Sequence, residues 1–253
     1  MRIRVISILL FALVACTAAA QLVETDADRK AMVKHPSFLT NKRLPNSAVY
    51  LPTPPDSASQ RFFNDWSQYN WGKSVRNTDR GRAAYAHASM NMDSILAGFA
   101  PALGHLITRD ELPETYRLLE YVKNDACKAT DLAKEAYMRK RPYVQFSERT
   151  LIPGSEASHA NTGSFPSSHA STGWALALVL VELAPEHQDA ILVHGYEYGQ
   201  SRVIAGYHYQ SDVDAGRLAA SAAVARIHAE PDFLRQMAKA CHEWEELQRR
   251  LQL

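Results

Sequence analysis

Three short stretches hold side chains whose types and spacing could do chemistry on an anion. SRVIAGYHYQSD, residues 201–212, sets Arg202 six residues before His208 and Asp212 four after it. A guanidinium can fork two N–H bonds onto the oxygens of a phosphate. A histidine and an aspartate four apart can meet across one helical turn. The carboxylate then fixes the ring tautomer and leaves the other nitrogen as a directed lone pair, as a nucleophilic imidazole requires. The same pair would serve equally well as a cap for the next helix. GSFPSSHAS, residues 163–171, places Ser167, Ser168 and His169 just ahead of a strongly apolar run. A helix start there presents free N–H groups and a positive dipole end to an anion, and plain serine capping is the bland alternative. KEAYMRKRP, residues 134–142, carries Lys134 and Arg141 seven apart. On one helix they would share a face, two turns apart; with Arg139 and Lys140 beside them they also read as a solvated basic stripe. Each stretch is weak alone. Together they supply three cations, helix-start donors, two histidines and one orienting acid, with no surplus of metal ligands.

The elements that must position these groups read as helices. From about residue 59 the apolar residues recur at three and four, in SASQRFFNDWSQYNWGKSV and in RGRAAYAHASMNMDSILAGFA. DELPETYRLLEYVKNDACKATDLAKEAYMRKR predicts one long helix, with Pro113 in its first turn and Pro142 closing it. Residues 143–165 predict a loop, broken by Pro153, Gly154 and Gly163. HASTGWALALVLVEL predicts a core helix, EHQDAILVHGYEYGQSRVI another that ends at a turn at Gly206, and DVDAGRLAASAAVARIHAE an alanine-rich one. Pro231 opens a last, amphipathic helix. Alternating strand patterns and internal repeats are absent. The expected fold class is all-α, a single-domain helical bundle over residues 59–253, preceded by an extended arm, residues 21–58, in which LPTPPDS cannot be a regular helix.

Bulk composition sets the frame. Apolar residues make up 46% and charged residues 22% of the 253, normal for a chain with a real core. A net charge of +1 argues against a nucleic-acid partner or a polybasic membrane surface. Residues 1–20 read as a secretory signal: Met1-Arg2-Ile3-Arg4 is basic, VISILLFALVA is too short to span a bilayer, and Ala18-Ala19-Ala20 offers a cleavage site. LVAC offers a second route, in which Cys16 is lipidated and becomes a membrane anchor. Either route exports the chain, to the periplasm or beyond, and the mature part has no transmembrane span. Cys127 and Cys241 in the body are either a disulfide or two separate thiols.

KEAYMRKRP, PSSH and SRVIAGYHYQSD resemble the three-part signature of the phosphatidic acid phosphatase type 2 and vanadium haloperoxidase superfamily. That signature is Lys, six residues, Arg-Pro; then Pro-Ser-Gly-His; then Ser-Arg, five residues, His, three residues, Asp. Around it, RNTDRG, ALALVLVELAPEHQDAIL and GYEYGQSRVIAGYHYQSDVDAGR resemble the bacterial class A non-specific acid phosphatases, over residues 48–245. The resemblance implies an acid phosphatase of broad phosphomonoester range that needs no cofactor and no metal. In it Lys134, Arg141, Arg202, Ser167 and Ser168 would hold the phosphate. His208 would be the nucleophile, Asp212 its orienter, and His169 the proton donor and later the base. Relatives of this kind are commonly homo-oligomers. One position departs: Ser168 stands where the signature has glycine, which carries a strain cost if that backbone needs a positive φ.

Other readings use the same residues. A nucleoside tri- and diphosphate hydrolase of the superfamily would share every motif residue, and a haloperoxidase would hold vanadate in the same pocket. A lipid phosphatase is disfavoured because that branch carries several membrane spans. A phosphate-binding protein with an impaired site has only Ser168 in its favour. His35, His87, His105, His159, His187, His194, His228 and His242 match no motif. They are expected to be structural or surface residues, with His159 at the pocket rim.

Overall fold

The computed structural model describes residues 36–251. The proposed signal segment, Cys16 and His35 lie outside them. Among the described residues there is no strand, and the fold is all-α. No described helix is long and apolar enough to cross a membrane.

The order is α1 Ser47–Tyr50, α2 Gln60–Ser74, α3 Asp79–Ala86, α4 Met92–Leu103, α5 Pro113–Lys128, α6 Asp131–Tyr137, α7 Pro142–Phe146, α8 Glu156–His159, α9 Ser168–Leu183, α10 Gln188–Ala205, α11 Gln210–Ile227 and α12 Pro231–Leu251. Helix α9 is the axis of the molecule. It is apolar along most of its length and largely buried: α5, α10 and α11 pack around it, and Ala170, Ala175, Leu176, Ala177, Val179 and Leu180 are excluded from solvent. At Gly216 of α11 a β-carbon would overlap the Ser167 carbonyl oxygen. The missing side chain lets α11 approach the first turn of α9, where two of the three motifs meet.

Helix α12 is amphipathic, as its sequence predicts. It buries Phe233, Ala240, Trp244 and Leu247 and packs on α5. It also caps that helix. Leu112 at the α5 N-cap has no capping side chain, and the Glu243 carboxylate accepts from the Glu114 and Thr115 N–H groups instead, at 3.1 and 2.7 Å. The N-terminal arm is more than a lead-in. It contains α1, and its Phe38 and Leu39 are core residues whose N–H groups donate to the buried Asp125 carboxylate at 2.8 and 3.2 Å.

Three sequence expectations are corrected. The single long helix is interrupted at Ala129–Thr130, where Thr130 Oγ1 donates to the Cys127 carbonyl at 2.8 Å and competes with the helical ladder. It then stops at Tyr137. Met138 is left-handed at φ 40°, and the chain runs extended to Arg141, whose ψ of 150° is what a residue before proline adopts. Pro142 opens α7 rather than closing the preceding helix. RGRAAYAHASMNMDSILAGFA splits into α3 and α4, the second started by the Asn91 side chain, which accepts from Asp93 and Ser94 N–H. The 143–165 loop contains α8 and most of α7. Cys127 and Cys241 are two free thiols, on α5 and α12.

Candidate active site

The three motifs converge, but through other backbone routes than helix periodicity suggests. Lys134 is on α6. Its ammonium donates to the Pro166 carbonyl and lies 3.5 Å from the Gly163 carbonyl. Arg141 is not on that helix face. It is the N-cap residue of α7, and its extended backbone turns a buried guanidinium into the pocket. Nε donates to the His159 carbonyl at 3.1 Å, and Nη2 to Thr162 Oγ1 and the Gly163 carbonyl at 3.0 and 3.3 Å. Nη1 meets the Tyr207 carbonyl at 3.1 Å and His208 Nε2 at 3.0 Å.

Arg202 comes from α10 and is only 3% exposed. Its guanidinium lies over the Tyr207 ring, 4.7 Å from the centroid. Nε and Nη1 have no hydrogen-bond partner. Buried donors are almost always satisfied, and an arginine left with two open ones is built for an acceptor that arrives from outside. Burial pushes its pKa down to about 10, and burial with the Arg141 charge pushes Lys134 down to about 8. Both remain cations in acid and neutral solution.

The start of α9 completes the anion site. Ser167 is the N-cap, and its Oγ accepts from the Ala170 N–H at 3.3 Å. The N–H groups of Ser168 and His169, first in the helix, have no intrahelical acceptor. Ser168 is ordinary right-handed helix; the positive-φ residues other than glycine are Met138 and Ser147. The serine therefore carries no backbone strain. Its hydroxyl is committed elsewhere, 2.9 Å from Thr130 Oγ1. Thr130 already donates to Cys127, so Ser168 is the donor in that pair. Of the two expected contributions of Ser168, the N–H stays free and the hydroxyl is used.

The two histidines sit as follows. His208 Nδ1 is 2.8 Å from the Ser164 carbonyl, which assigns the proton to Nδ1 and the lone pair to Nε2. The expected direct bond to Asp212 is absent: Nδ1 to Asp212 Oδ2 is 3.6 Å. Asp212 reaches the ring through Ser164, whose Oγ donates to Oδ2 at 2.5 Å, and it also accepts the Tyr209 N–H at 2.9 Å as the cap of α11. The capping reading of this residue is realised, while the direct carboxylate–ring bond of the orienting reading is not made. His169 Nε2 is 3.0 Å from the Ala88 carbonyl, and its ring stacks on Tyr198. Burial first, then the neighbouring cations, holds both rings well below the ordinary histidine pKa: Arg202 beside His169, and Arg141, Lys134 and Arg202 beside His208.

The superfamily model for PAP2 proteins matches residues 119–232, a span that contains all eight site residues. The chain is 44% identical over 213 residues to the non-specific acid phosphatase of Providencia stuartii, covering 84% of this chain and 86% of that protein. It is 38% identical over 199 residues to the non-specific acid phosphatase of Salmonella typhimurium, covering 78% and 80%. The acid phosphatase of Zymomonas mobilis is 32% identical over 197 residues, covering 78% and 75%. The chain belongs to the bacterial class A acid phosphatases.

In this class A phosphatase the sequence motifs missed a second layer. Arg139, expected on a solvated stripe, has a side chain only 9% exposed. Nη1 donates to Asp212 Oδ1 and Ser211 Oγ at 2.6 and 2.8 Å, and Nη2 to Asp65 Oδ2 at 2.8 Å. Its carbonyl accepts the Ser164 N–H at 2.8 Å. Arg139 and Ser164 lie inside quoted motifs and could have been flagged there. Asp65, on α2, gives no signal in the sequence. His159 lies by the site, as expected: its carbonyl meets Arg141 and its ring packs edge-on against Tyr207. Among the described residues no cluster of His, Cys, Asp and Glu has metal-site geometry.

Proposed function

We propose that this phosphatase is exported and hydrolyses phosphate monoesters of broad range through a phosphohistidine at His208, with no metal. The observation that carries the reading is Arg202, a buried guanidinium with two unpartnered donors. It lies close enough to both His208 and His169 to lower their proton affinity. A tetrahedral dianion would accept from Arg202, from Arg141, from Lys134 and from the Ser168 and His169 N–H groups. Such preorganised donors supply most of what phosphoryl transfer needs.

Arg141 Nη1 now sits on the His208 Nε2 lone pair. A bound phosphate draws that donor to its own oxygens and frees the lone pair, so substrate binding unmasks the nucleophile. Nε2 then attacks phosphorus as the P–O bond to the leaving alcohol breaks, and His169 gives that oxygen its proton. In the second half His169 takes a proton from water, the hydroxide oxygen bonds to phosphorus, and the P–N bond breaks to release phosphate. His208 must begin neutral and His169 protonated. The low proton affinity of both rings moves this window to acid pH. The dianion offsets Arg202 and raises His169 when it is needed as an acid. Kcat/KM accordingly falls as pH rises through neutrality.

The test is release of p-nitrophenol from p-nitrophenyl phosphate at mildly acidic pH, with EDTA, by the mature chain and by His208→Ala. Wild-type turnover indifferent to EDTA, inhibited by vanadate and lowered at least about a thousandfold in the variant is the expected result. Loss with EDTA, or activity retained in the variant, contradicts it. Export, with cleavage after residue 20 or with Cys16 lipidated as the alternative, and assembly of several copies belong to the same proposal. They are read from the mass of the mature N-terminus and from light scattering.

A further inference from the structure

Behind the reacting groups lies a chain of buried charges that the substrate never meets. Asp65 of α2, Arg139 of the 138–141 strap and Asp212 of α11 have side chains 1%, 9% and 0% exposed. Asp65 Oδ1 and Oδ2 also accept from the Ser211 N–H and Oγ, at 2.8 and 2.6 Å. The Arg139 guanidinium lies over the Tyr209 ring, 4.0 Å from its centroid. The arginine joins three segments that are remote in sequence.

The consequence for His208 is geometric. Asp212 Oδ1 is held by Arg139, and Oδ2 by Ser164 Oγ and Tyr209 N–H. The ring is left 3.6 Å from the nearer carboxylate oxygen and donates Nδ1–H to a neutral carbonyl instead. A carboxylate bonded directly to the ring would favour imidazolium, which has no lone pair to attack with. The charges facing His208 are the cations Arg141, Lys134 and Arg202 and the single acid Asp212, with His169 nearby. Asp212 is thus the one negative charge facing the ring, where it adds to the Ser164 carbonyl in favouring the protonated form, and Arg139 is its counter-charge.

We propose that Arg139, anchored by Asp65, is a positioning residue that keeps His208 a neutral nucleophile in acid solution by holding the Asp212 carboxylate off its ring. The proposal rests on His208 as nucleophile, but its test does not need turnover. The His208 ring is titrated by NMR in histidine-labelled full-length mature protein, beside the acid limb of the kcat/KM profile. Arg139→Gln leaves Asp212 uncompensated, so the ring titration and the acid limb move to higher pH by about one unit or more. Arg139→Lys restores part of the shift. Asp65→Asn removes the acid that competes for Arg139, so both move the other way, to lower pH. Opposite shifts from two partners of one ion pair are not what simple loosening produces. Activity reduced alike at every pH, with the ring titration unmoved in Arg139→Gln, overturns the proposal. If that variant does not fold, Asp65→Asn decides: a downward shift supports it, and no shift or an upward one overturns it. An inactive wild type whose ring still shifts in these directions would remove the phosphatase mechanism and leave the positioning intact.

Discussion

Asp125 and Asp212, two of the three fully buried aspartates among the described residues, do different work. Asp125 accepts two backbone N–H groups of the arm, Phe38 and Leu39, and among the described residues no side chain is bonded to it at ion-pair distance. Burial dominates there and pushes its carboxyl up to about 7, although both N–H groups and the nearby Lys128 pull the other way. Asp212 accepts one backbone N–H, one hydroxyl and one guanidinium. The first is a clasp that tolerates protonation. The second stands in a network where each carboxylate oxygen has a charged or polar donor. The difference separates a carboxyl that holds chain segments together from one that must control a neighbouring ring. It is written in the partners rather than in the burial.

The sharpest break of this comparison is a pair of isosteric changes. Asp212→Asn removes the charge opposite Arg139 and puts an NH2 where a donor already points. Kcat/KM for p-nitrophenyl phosphate is expected to fall at least about a hundredfold, and stability by about 3–5 kcal/mol, the usual cost of unpairing a buried ion. Asp125→Asn keeps the acceptor for one N–H and loses the other. It is expected to cost about 1–2 kcal/mol in urea unfolding, with kcat/KM unchanged. Equal losses of activity in the two variants would erase the distinction.

Arg202→Met tests the active-site half from the other side. The side chain is similar in reach, apolar, and free of the two unpartnered donors. Phosphate affinity and kcat/KM are expected to drop at least about a hundredfold. The unliganded protein should melt at higher temperature, because a buried cation without acceptors costs more than well-packed hydrocarbon. A lower melting temperature would mean that Arg202 is a structural element, and the phosphate reading would lose its main support.

How much of this was legible in the sequence follows from what periodicity records. The all-α class, the buried α9 and the amphipathic α12 are one-dimensional patterns, and the sequence displays them. So are the motifs, from which eight candidate site residues were read. The strap between α6 and α7 was not legible, because seven-residue spacing on a helix and an extended run before a proline both bring Lys134 and Arg141 to one pocket. Arg139 looked solvated because its partners, Asp65 and Asp212, lie 74 and 73 residues away. The His208–Asp212 spacing correctly indicated proximity. It could not reveal that Ser164 would come between them, since that depends on where the 159–167 connection folds back.

Docking of the arm depends on pH. The folded pKa of Asp125, about 7, lies above its ordinary value of 3.8. A raised pKa contributes stability that is complete below the unfolded value and is lost as pH climbs through the folded one. Docking of residues 36–40 is therefore strongest in acid and weakens between about pH 4 and 7. Hydrogen exchange at the Phe38 and Leu39 amides, corrected for intrinsic rates, should show protection at pH 5 that is reduced at pH 8. Asp125→Asn should flatten that dependence. Protection that grows with pH would place the carboxylate, not the carboxyl, in the native clasp.

The smallest effect is expected where the two halves touch. Ser168 opens α9, and its hydroxyl reaches Thr130, which in turn donates to Cys127 two residues beyond Asp125. Glycine at 168 deletes one buried hydrogen bond and adds backbone freedom at a position whose φ is helical. Stability should fall by about 1–2 kcal/mol. The N–H that faces the anion is unchanged, so kcat/KM is expected to stay within about threefold, less than a 1 kcal/mol change in the barrier. Thr130→Val should reproduce the stability loss and also leave turnover in place, since it removes the same bond from the other end. Should Ser168→Gly raise kcat/KM tenfold or more, the Ser168–Thr130 bond would be restraining the first turn of α9. The clasp side of the molecule would then be limiting the chemistry on the other.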